Sequence, residues 1–315
     1  MHRALLRIRI IAMNEYFIVT ANQILQMILM VLVGYAVFRT KMVPESAIRP
    51  MTNMLLNVIL PLNVLNSFQS EEDLSKAPLL FYGLVISILL HLLFTALSYV
   101  FVRARNNPNA VSERASAIFA NCGFMGIPLL TAMFGTEGAF YASAYITVYN
   151  VALFTQGVYM FSGKGNLKES LKQILSPTVI GVLLSIVLYL LQIRLPEVMR
   201  GAVRSIGSMN TPLAMLITGM IIAKSNLREL ITARSLYASM LRLLVLPAIG
   251  ILLFRNFIAM DKMSVAVLLQ GACPSGSAIS MIAIKCGVDE RPATGIFIVS
   301  TILCAVTLPI VAMLL

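Results

Sequence analysis

The feature that most constrains this chain is the recurrence of long apolar stretches that contain few or no charged residues. A helix of about 20 apolar residues spans the hydrocarbon core of a bilayer. Stretches of that length follow one another along the 315 residues, separated by short charged loops. Hydrophobic residues make up 59% of the chain and charged residues 12%, which is more apolar surface than a soluble fold of this size buries. The sequence therefore predicts an all-α membrane protein.

The apolar stretches define ten predicted transmembrane helices. Their bounds are 17–38, 48–68, 78–102, 115–134, 138–161, 176–192, 205–223, 235–257, 263–284 and 292–314. Turn-forming and charged residues separate them, and no loop is long enough for a soluble domain. The predicted organisation is an N-terminal tail (1–16), a first five-helix unit (17–161), a cytoplasmic loop (162–175) and a second five-helix unit (176–315).

The distribution of Lys and Arg predicts the orientation. Loops after odd-numbered spans hold fourteen basic residues and the opposite loops hold six, leaving aside the tail and Arg242. Because basic loops stay in the cytoplasm, both termini are predicted outside a multi-pass protein of the cell inner membrane. The basic residues lie in separate loops rather than in one patch, so the net charge of +11 indicates topology and not a nucleic-acid partner.

The two halves of the chain resemble each other weakly. Five pairs of landmark residues recur at separations of 151 to 154 residues, and an odd number of helices per half would invert the second half in the membrane. The alternative is chance alignment of apolar helices of similar length. The pairs are Tyr35 with Tyr189, Pro44 with Pro196, Pro61 with Pro212, Cys122 with Cys273 and Gly138 with Pro292.

The fourth and ninth predicted helices carry glycine and proline near their middles. Proline removes a backbone donor and glycine lowers the cost of unwinding, so both helices are predicted to be broken there. Matched broken helices in inverted halves indicate a binding site at the membrane midplane, and half-helix N-termini suit an anion. Simple kinked packing is the alternative. The residues are Asn121, Gly123, Gly126 and Pro128, and Gly271, Pro274, Ser275, Gly276 and Ser277.

Ionisable residues are scarce inside the predicted spans. All 13 acidic residues fall in loops or at helix ends, which argues against a metal or organic-cation cage and against a carboxylate proton relay. Three basic candidates remain. His91 reads either as a proton-linked switch or as a hydrogen-bonded structural group. Arg242 and Lys285 are predicted to snorkel to the inner helix ends, where they would anchor the helices or draw anions inward.

Chemistry other than transport has little support in the sequence. The four cysteines show no CxxC spacing, the chain has two histidines, and it contains no HExxH, GxSxG or phosphate-binding loop. We therefore expect no enzyme activity, no cofactor and no metal site. A membrane receptor or sensor for a small ligand remains an alternative to a transporter.

Three long segments of the chain are distinctive: FANCGFMGIPLL, ACPSGSAISMIAIKCGV and TGIFIVSTILCAVTLPI. The first is similar to the PNTLVMGIPLL segment of the auxin efflux carrier family, and the other two are similar to that family's last two helices. The family includes the plant PIN-type carriers and belongs with the bile-acid transporters in one superfamily. VILPLNVLNSF, SPTVIGVL and LRLLVLPAI fit as well. The resemblance covers roughly residue 24 to the C-terminus, and the short loop after the fifth helix indicates a compact prokaryotic relative.

This resemblance implies a scaffold of helices 1, 2, 6 and 7 and a transport domain of helices 3–5 and 8–10, with helices 4 and 9 crossing. It implies elevator-type alternating access, carboxylate substrates such as auxin, malate or malonate, and homodimers formed through the scaffold. Ser275 replaces the plant glutamine, so auxin specificity is not carried over. Na⁺ and H⁺ both remain as coupling ions, and a sodium-coupled symporter of bile-acid-transporter type is the nearest rival.

The resemblance also places the predicted substrate site. Asn121 matches the family's substrate-contacting asparagine and Pro274 its crossover proline, whereas Ala120 replaces the proline of the fourth helix. Asn121 and Ser275, with backbone N–H groups around Gly123 and Gly276, are expected to bind the carboxylate. The complete predicted set is Asn121, Cys122, Gly123, Gly126, Pro274, Ser275, Gly276 and Ser277, with Asn63, Asn66, Asn210 and Thr211 on the scaffold side.

Overall fold

A computed structural model describes the backbone of residues 2–70, 73–135, 137–163 and 177–315, and the side chains of these residues except 2–16 and 178. The described residues are helical and contain no β-strand. In our numbering the helices are α1 (His2–Arg39), α2 (Ile48–Met54, Leu55–Ile59 and Leu60–Ser70), α3 (Ala77–Phe101), α4a (Ala110–Ile118), α4b (Cys122–Gly126 and Ile127–Phe134), α5 (Glu137–Ala152, Leu153–Gly157 and Val158–Ser162), α6 (Pro177–Leu190), α7a (Glu197–Gly207), α7b (Asn210–Lys224), α8 (Ala233–Met240, Leu241–Val245 and Leu246–Phe257), α9a (Lys262–Ala272), α9b (Ala278–Lys285) and α10 (Arg291–Leu314).

Each predicted span contains a helix, but not every helix is an uninterrupted membrane-crossing rod. Within the described residues, five helices are long and apolar enough to cross a membrane, and two more are apolar but shorter. α1 begins at His2, so the predicted tail continues the first helix. The predicted loop 162–175 lies almost wholly outside the described residues. These five stretches are the part of α1 from Phe17 to Arg39, α3 with the turn before it (Leu74–Phe101), α7a and α7b taken together (Glu197–Lys224), α8 (Ala233–Phe257) and α10 (Arg291–Leu314).

Prolines widen three of the helices locally. A five-residue π-helical turn ends two residues before a proline in α2, α4b and α8. A proline ring clashes with the carbonyl four residues earlier and supplies no N–H, so a wider turn relieves both problems without ending the helix. The prolines concerned are Pro61, Pro128 and Pro247.

The helices pack as two groups that touch. In one group α2 packs on α6 and α7a, and α1 packs on α7b. In the other, α3, α5 and α9a pack together, α4b packs on α5, and α8 packs on α10. The groups are not separate, because α1 packs on α10 as extensively as α2 packs on α6, and α1 also contacts α4b and α2 contacts α5. The two broken helices α4 and α9 therefore both lie in the second group.

An ionic cluster joins the N-terminal ends of α3, α5 and α9a. The Glu137 carboxylate accepts hydrogen bonds from Lys76 and, at 2.9 Å, from the Tyr141 hydroxyl, and Lys262 lies 3.4 Å away. Lys76 is the main reason that the pKa of the Glu137 carboxyl falls to about 2 from its usual 4.5. The cluster therefore ties together the starts of three helices.

The low pKa of Glu137 predicts a defined acid sensitivity. A carboxyl whose pKa is depressed by folding stabilises the native state above its unfolded pKa, and this contribution disappears as the pH falls from 4.5 towards 2. Glu137→Gln should lower the free energy of unfolding at pH 7 by about 1 kcal/mol or less, because the pair is partly exposed. As the pH is lowered from 4.5 towards 2, the unfolding temperature of Glu137→Gln in detergent should fall less than that of wild type. Equal acid sensitivity of both proteins would contradict the assignment.

Candidate functional site

The fourth and ninth helices are both broken, and their broken segments pair with each other. α4a ends at Ile118 and α9a ends at Ala272. Between the half-helices, Asn121 N–H donates to Pro274 O at 2.7 Å and Gly276 N–H donates to Phe119 O at 3.0 Å. Ala120 and Ser275 thus form a one-residue antiparallel bridge. We call this region, residues 119–121 and 273–277, the crossing.

Two residues explain why the chain can cross here. Pro274 has no N–H to lose, so its position between two half-helices leaves no donor unsatisfied. A Cβ on Gly276 would lie 3.1 Å from Ala120 O and 3.2 Å from the Tyr149 hydroxyl oxygen. Glycine therefore allows the close approach of the two backbones. The N–H of Gly276 bonds to Phe119, so the predicted role of this N–H in binding a carboxylate is not available in this structure.

Gly276→Ala is expected to loosen the crossing. The added methyl group must push against a backbone carbonyl and a buried hydroxyl, and overpacking of this kind costs about 1–3 kcal/mol. Gly157→Ala is the matched control, because its Cβ would make only ordinary 3.5 Å contacts, two of them with the Phe119 ring beside the same crossing. Unfolding of both variants in detergent measures the difference. A control that is destabilised as much as Gly276→Ala would contradict the explanation.

Buried polar atoms without a partner surround the crossing. Among the described residues, none bonds to Asn121 Nδ2, Ser275 Oγ, Gln270 Oε1 or Asn210 Oδ1. Asn121 is 5% exposed and Ser275 is fully buried. Buried polar atoms normally have partners, since leaving one unpaired costs about 1–3 kcal/mol. Their concentration here marks the crossing as the candidate site.

The site also receives residues from outside the crossing. Asn210, at the start of α7b, donates from Nδ2 to Gly123 O at 3.2 Å, so this predicted scaffold residue does reach α4b. Gln270, on α9a, donates to Ala142 O at 2.9 Å, and a Cβ on Gly126 would lie 3.0 Å from its Oε1. Sequence reasoning missed Gln270. Its signal is a single amide in the otherwise apolar run 265–272 of α9a.

Arg242 lies at the centre of the arrangement rather than at a helix end. Its side chain is fully buried. Nε donates to Cys273 O at 3.0 Å and Nη2 donates to Gly271 O at 2.6 Å. Nη1 donates to Ala117 O at 2.8 Å and approaches Ile118 O at 3.4 Å. The prediction that Arg242 snorkels to the inner surface is wrong, because the unpaired carbonyls ending α4a and α9a bind the guanidinium inside the bundle.

His91 on α3 has a hydrogen-bonded environment beside the crossing. Its Nε2 lies 2.7 Å from Gln156 Oε1, and Gln156 Nε2 donates to Thr95 Oγ1 at 3.1 Å. The centroids of the imidazole ring and the Phe119 ring lie 5.5 Å apart. This geometry is compatible with both alternatives for His91, a structural group and a proton-linked switch.

Other predicted site residues lie in different surroundings. Asn63 donates to Gly207 O at 2.9 Å, at the junction of α7a and α7b. Asn66 and Thr211 are half-buried, and the Asn66 carbonyl accepts the Ser70 hydroxyl. Lys285 is exposed at the end of α9b, as expected for an anchoring residue. Cys122 and Cys273 form no disulfide and are buried, Cys273 within the crossing and Cys122 directly after it at the start of α4b. Ser277 is half-buried just before α9b.

A cavity of about 200 Å³ lies away from the crossing, between α4a, α8 and the start of α10. Its charged lining is paired: Arg234 lies 3.4 Å from the buried Glu113 carboxylate, and Arg291 lies 2.8 Å from Asp289. It contains none of the predicted site residues. Within the described part of the chain, no group of three His, Cys, Asp or Glu side chains could hold a metal ion.

Comparison with known proteins agrees with a membrane fold. The profile of a family described as "Membrane transport protein" matches residues 19–312. The chain is also similar to an "uncharacterized transporter" from Methanothermobacter thermautotrophicus. The two are 26% identical over 304 residues, which cover 93% of this chain and 98% of that protein.

Proposed function

Since the chain belongs to the membrane transport protein family, we propose that it is a secondary transporter that moves a small organic anion across the membrane through the crossing of α4 and α9. The proposal includes the ten-span inverted-repeat topology, with both termini outside the cell inner membrane. It also includes a close relation to the auxin efflux carriers.

One observation carries the anion assignment. Asn121 Nδ2 and Ser275 Oγ are buried polar groups without partners, and they stand beside the N-terminal ends of α4b and α9b. An amide N–H and a hydroxyl can both donate to a carboxylate, and the first N–H groups of a helix favour negative charge. A carboxylate at the crossing would satisfy the polar groups that the protein leaves unpaired.

The helix packing supports an elevator-type mechanism. The crossing lies within the group formed by α3, α4, α5, α8, α9 and α10, so a site there would travel with that group. The hydrogen bond from Asn210 to Gly123 joins the two groups next to the site. In this mechanism that contact breaks and re-forms as one group slides past the other, exposing the anion to each side in turn.

A sodium-coupled version of the same function rests on two acceptor atoms. Gln270 Oε1 and Asn210 Oδ1 are buried oxygens without a donor among the described residues. Amide oxygens are ligands of hard cations. A coupling Na⁺ at these oxygens would offset the charge of the transported anion.

Flux into liposomes tests the function. Uptake of radiolabelled malate, malonate and indole-3-acetate is measured separately, and wild type should take up at least one of them. Sodium and pH gradients are imposed separately to identify the coupling ion. Asn121→Asp removes an N–H donor and adds a negative charge without changing the size of the side chain. Uptake should fall about tenfold or more, because a unit charge a few ångströms from the substrate costs at least 1.4 kcal/mol.

Asn256→Ala is the matched control, because the Asn256 amide is exposed on α8 and donates only to Leu252 O of its own helix. Its uptake should equal that of wild type. Undiminished uptake by Asn121→Asp would contradict the site. Wild-type protein that binds an anion but carries no flux would instead identify a membrane sensor.

A further inference from the structure

Arg242 is a buried cation whose charge no carboxylate balances. Among the described residues it forms no ion pair, and all 13 acidic residues lie outside the predicted spans. An isolated charge inside a membrane protein is costly, so a buried arginine usually serves a function. Here four carbonyl oxygens from two different helices surround the guanidinium.

The four carbonyls belong to the C-terminal ends of the two half-helices that precede the crossing. A helix C-terminus carries a partial charge of roughly −0.5, and a helix N-terminus carries roughly +0.5. The C-terminal ends of α4a and α9a and the N-terminal ends of α4b and α9b all meet at the crossing. The negative partial charges of the two C-terminal ends cancel the positive partial charges of the two N-terminal ends. The charge that remains at the crossing is that of the guanidinium, about one positive unit.

We propose that Arg242 is the positioning residue that holds the two C-terminal ends together and sets this single positive charge, so that the site takes a monocarboxylate, an anion with one negative charge. The inference rests on the proposed function and specifies its substrate class.

The unpaired groups at the crossing fit the same substrate. Asn121 Nδ2 and Ser275 Oγ belong to side chains that are at least nine-tenths buried, one on each crossing segment. Each of them can donate a hydrogen bond to a carboxylate oxygen. Unless a coupling Na⁺ is bound, a second carboxylate on the ligand would bring a second negative charge that no cationic side chain of the described site offsets.

Two pairs of ligands that differ by one charge test the inference. Malonate, a dianion at neutral pH, is compared with monomethyl malonate, and indole-3-acetate is compared with neutral indole-3-acetamide. Binding is measured as a ligand-induced rise in unfolding temperature in detergent, and transport as flux. Wild type should prefer the monoanion of each pair by about tenfold or more, as expected for one unit of uncompensated charge in a site of low dielectric constant.

Substitutions separate charge from structure. Arg242→Gln keeps two N–H donors for the carbonyls but removes the charge, so it should lose the preference for indole-3-acetate over the amide. Arg242→Lys keeps the charge and should retain that preference. A merely structural role would weaken binding of the acid and the amide equally, and that result would overturn the proposal.

The remaining outcomes also decide the matter. If Arg242→Gln does not fold, comparison of the two ligands of each pair in wild type and in Arg242→Lys still tests the charge of the site. Equal binding of malonate and monomethyl malonate by wild type would overturn the proposal that the site carries a single positive charge. Selective binding of the monoanions without flux would overturn the proposed function and leave the charge inference standing. Neither binding nor flux for any of the four ligands would overturn both.

Discussion

Gly219→Ala is expected to abolish stable packing of α1 against α7b, with a loss of about 3 kcal/mol or more in the free energy of unfolding. A Cβ at this position would overlap the carbonyl oxygen of Val31 and lie 2.7 Å from Tyr35 N. Both obstacles are backbone atoms, so no rotamer change relieves the clash and the helices must separate. Close backbone approach through small residues is a principal source of helix association in membranes.

Thermal unfolding in detergent measures this effect. Gly201→Ala, on α7a, is the matched control, because its Cβ would meet nothing within 4 Å. It should be neutral or gain about 0.5–1 kcal/mol from the helix propensity of alanine. Gly34→Ala should behave like Gly219→Ala, since its Cβ would overlap Leu216 O on the facing helix. Equal stability of Gly219→Ala and Gly201→Ala would show that α1 and α7b are not in contact as described.

The second large effect is expected for Arg242→Met, which should not yield folded protein. Methionine fills much of the space but donates no hydrogen bond, so the carbonyls of Ala117, Gly271 and Cys273 become buried and unpaired. Each unpaired buried group costs about 1–3 kcal/mol, and the sum approaches the whole stability of a typical protein. Loss of monodisperse protein in size-exclusion chromatography is the expected result.

Arg255→Met is the control for this substitution, because Arg255 is an exposed arginine on the same helix. It should elute and unfold like wild type. Arg242→Lys should be intermediate, since an ammonium supplies three donors without the planar geometry of a guanidinium. Arg242→Met protein that unfolds at the wild-type temperature would show that water, and not Arg242, satisfies these carbonyls.

The positions of the helices could be predicted because apolar length is a local property. A helix lies within each of the ten predicted spans, and the breaks at residues 119–121 and 273–277 fall where Asn, Gly and Pro interrupt the apolar pattern. The ends were less accurate. α1 extends to His2, since a helical hydrogen-bond ladder continues wherever no residue breaks it.

The roles of individual polar residues were harder to predict. Arg242 was assigned to the surface because a basic side chain near a helix end usually reaches water. Its actual partners lie 29 to 125 positions away along the chain. The role of Gln270 is not predictable for the same reason. Its amide bonds to Ala142 O and lies next to Gly126 only once α9a, α5 and α4b have packed together.

The sequence by itself determined where this chain forms apolar helices and where two of them break, because length, hydropathy, glycine and proline act within a few residues of their own positions. The tertiary structure alone decided that the two breaks pair with each other and that one arginine binds the carbonyl ends of both. Hydrogen-bond partners and charge balance depend on distances of a few ångströms between distant segments, and only packing sets those distances.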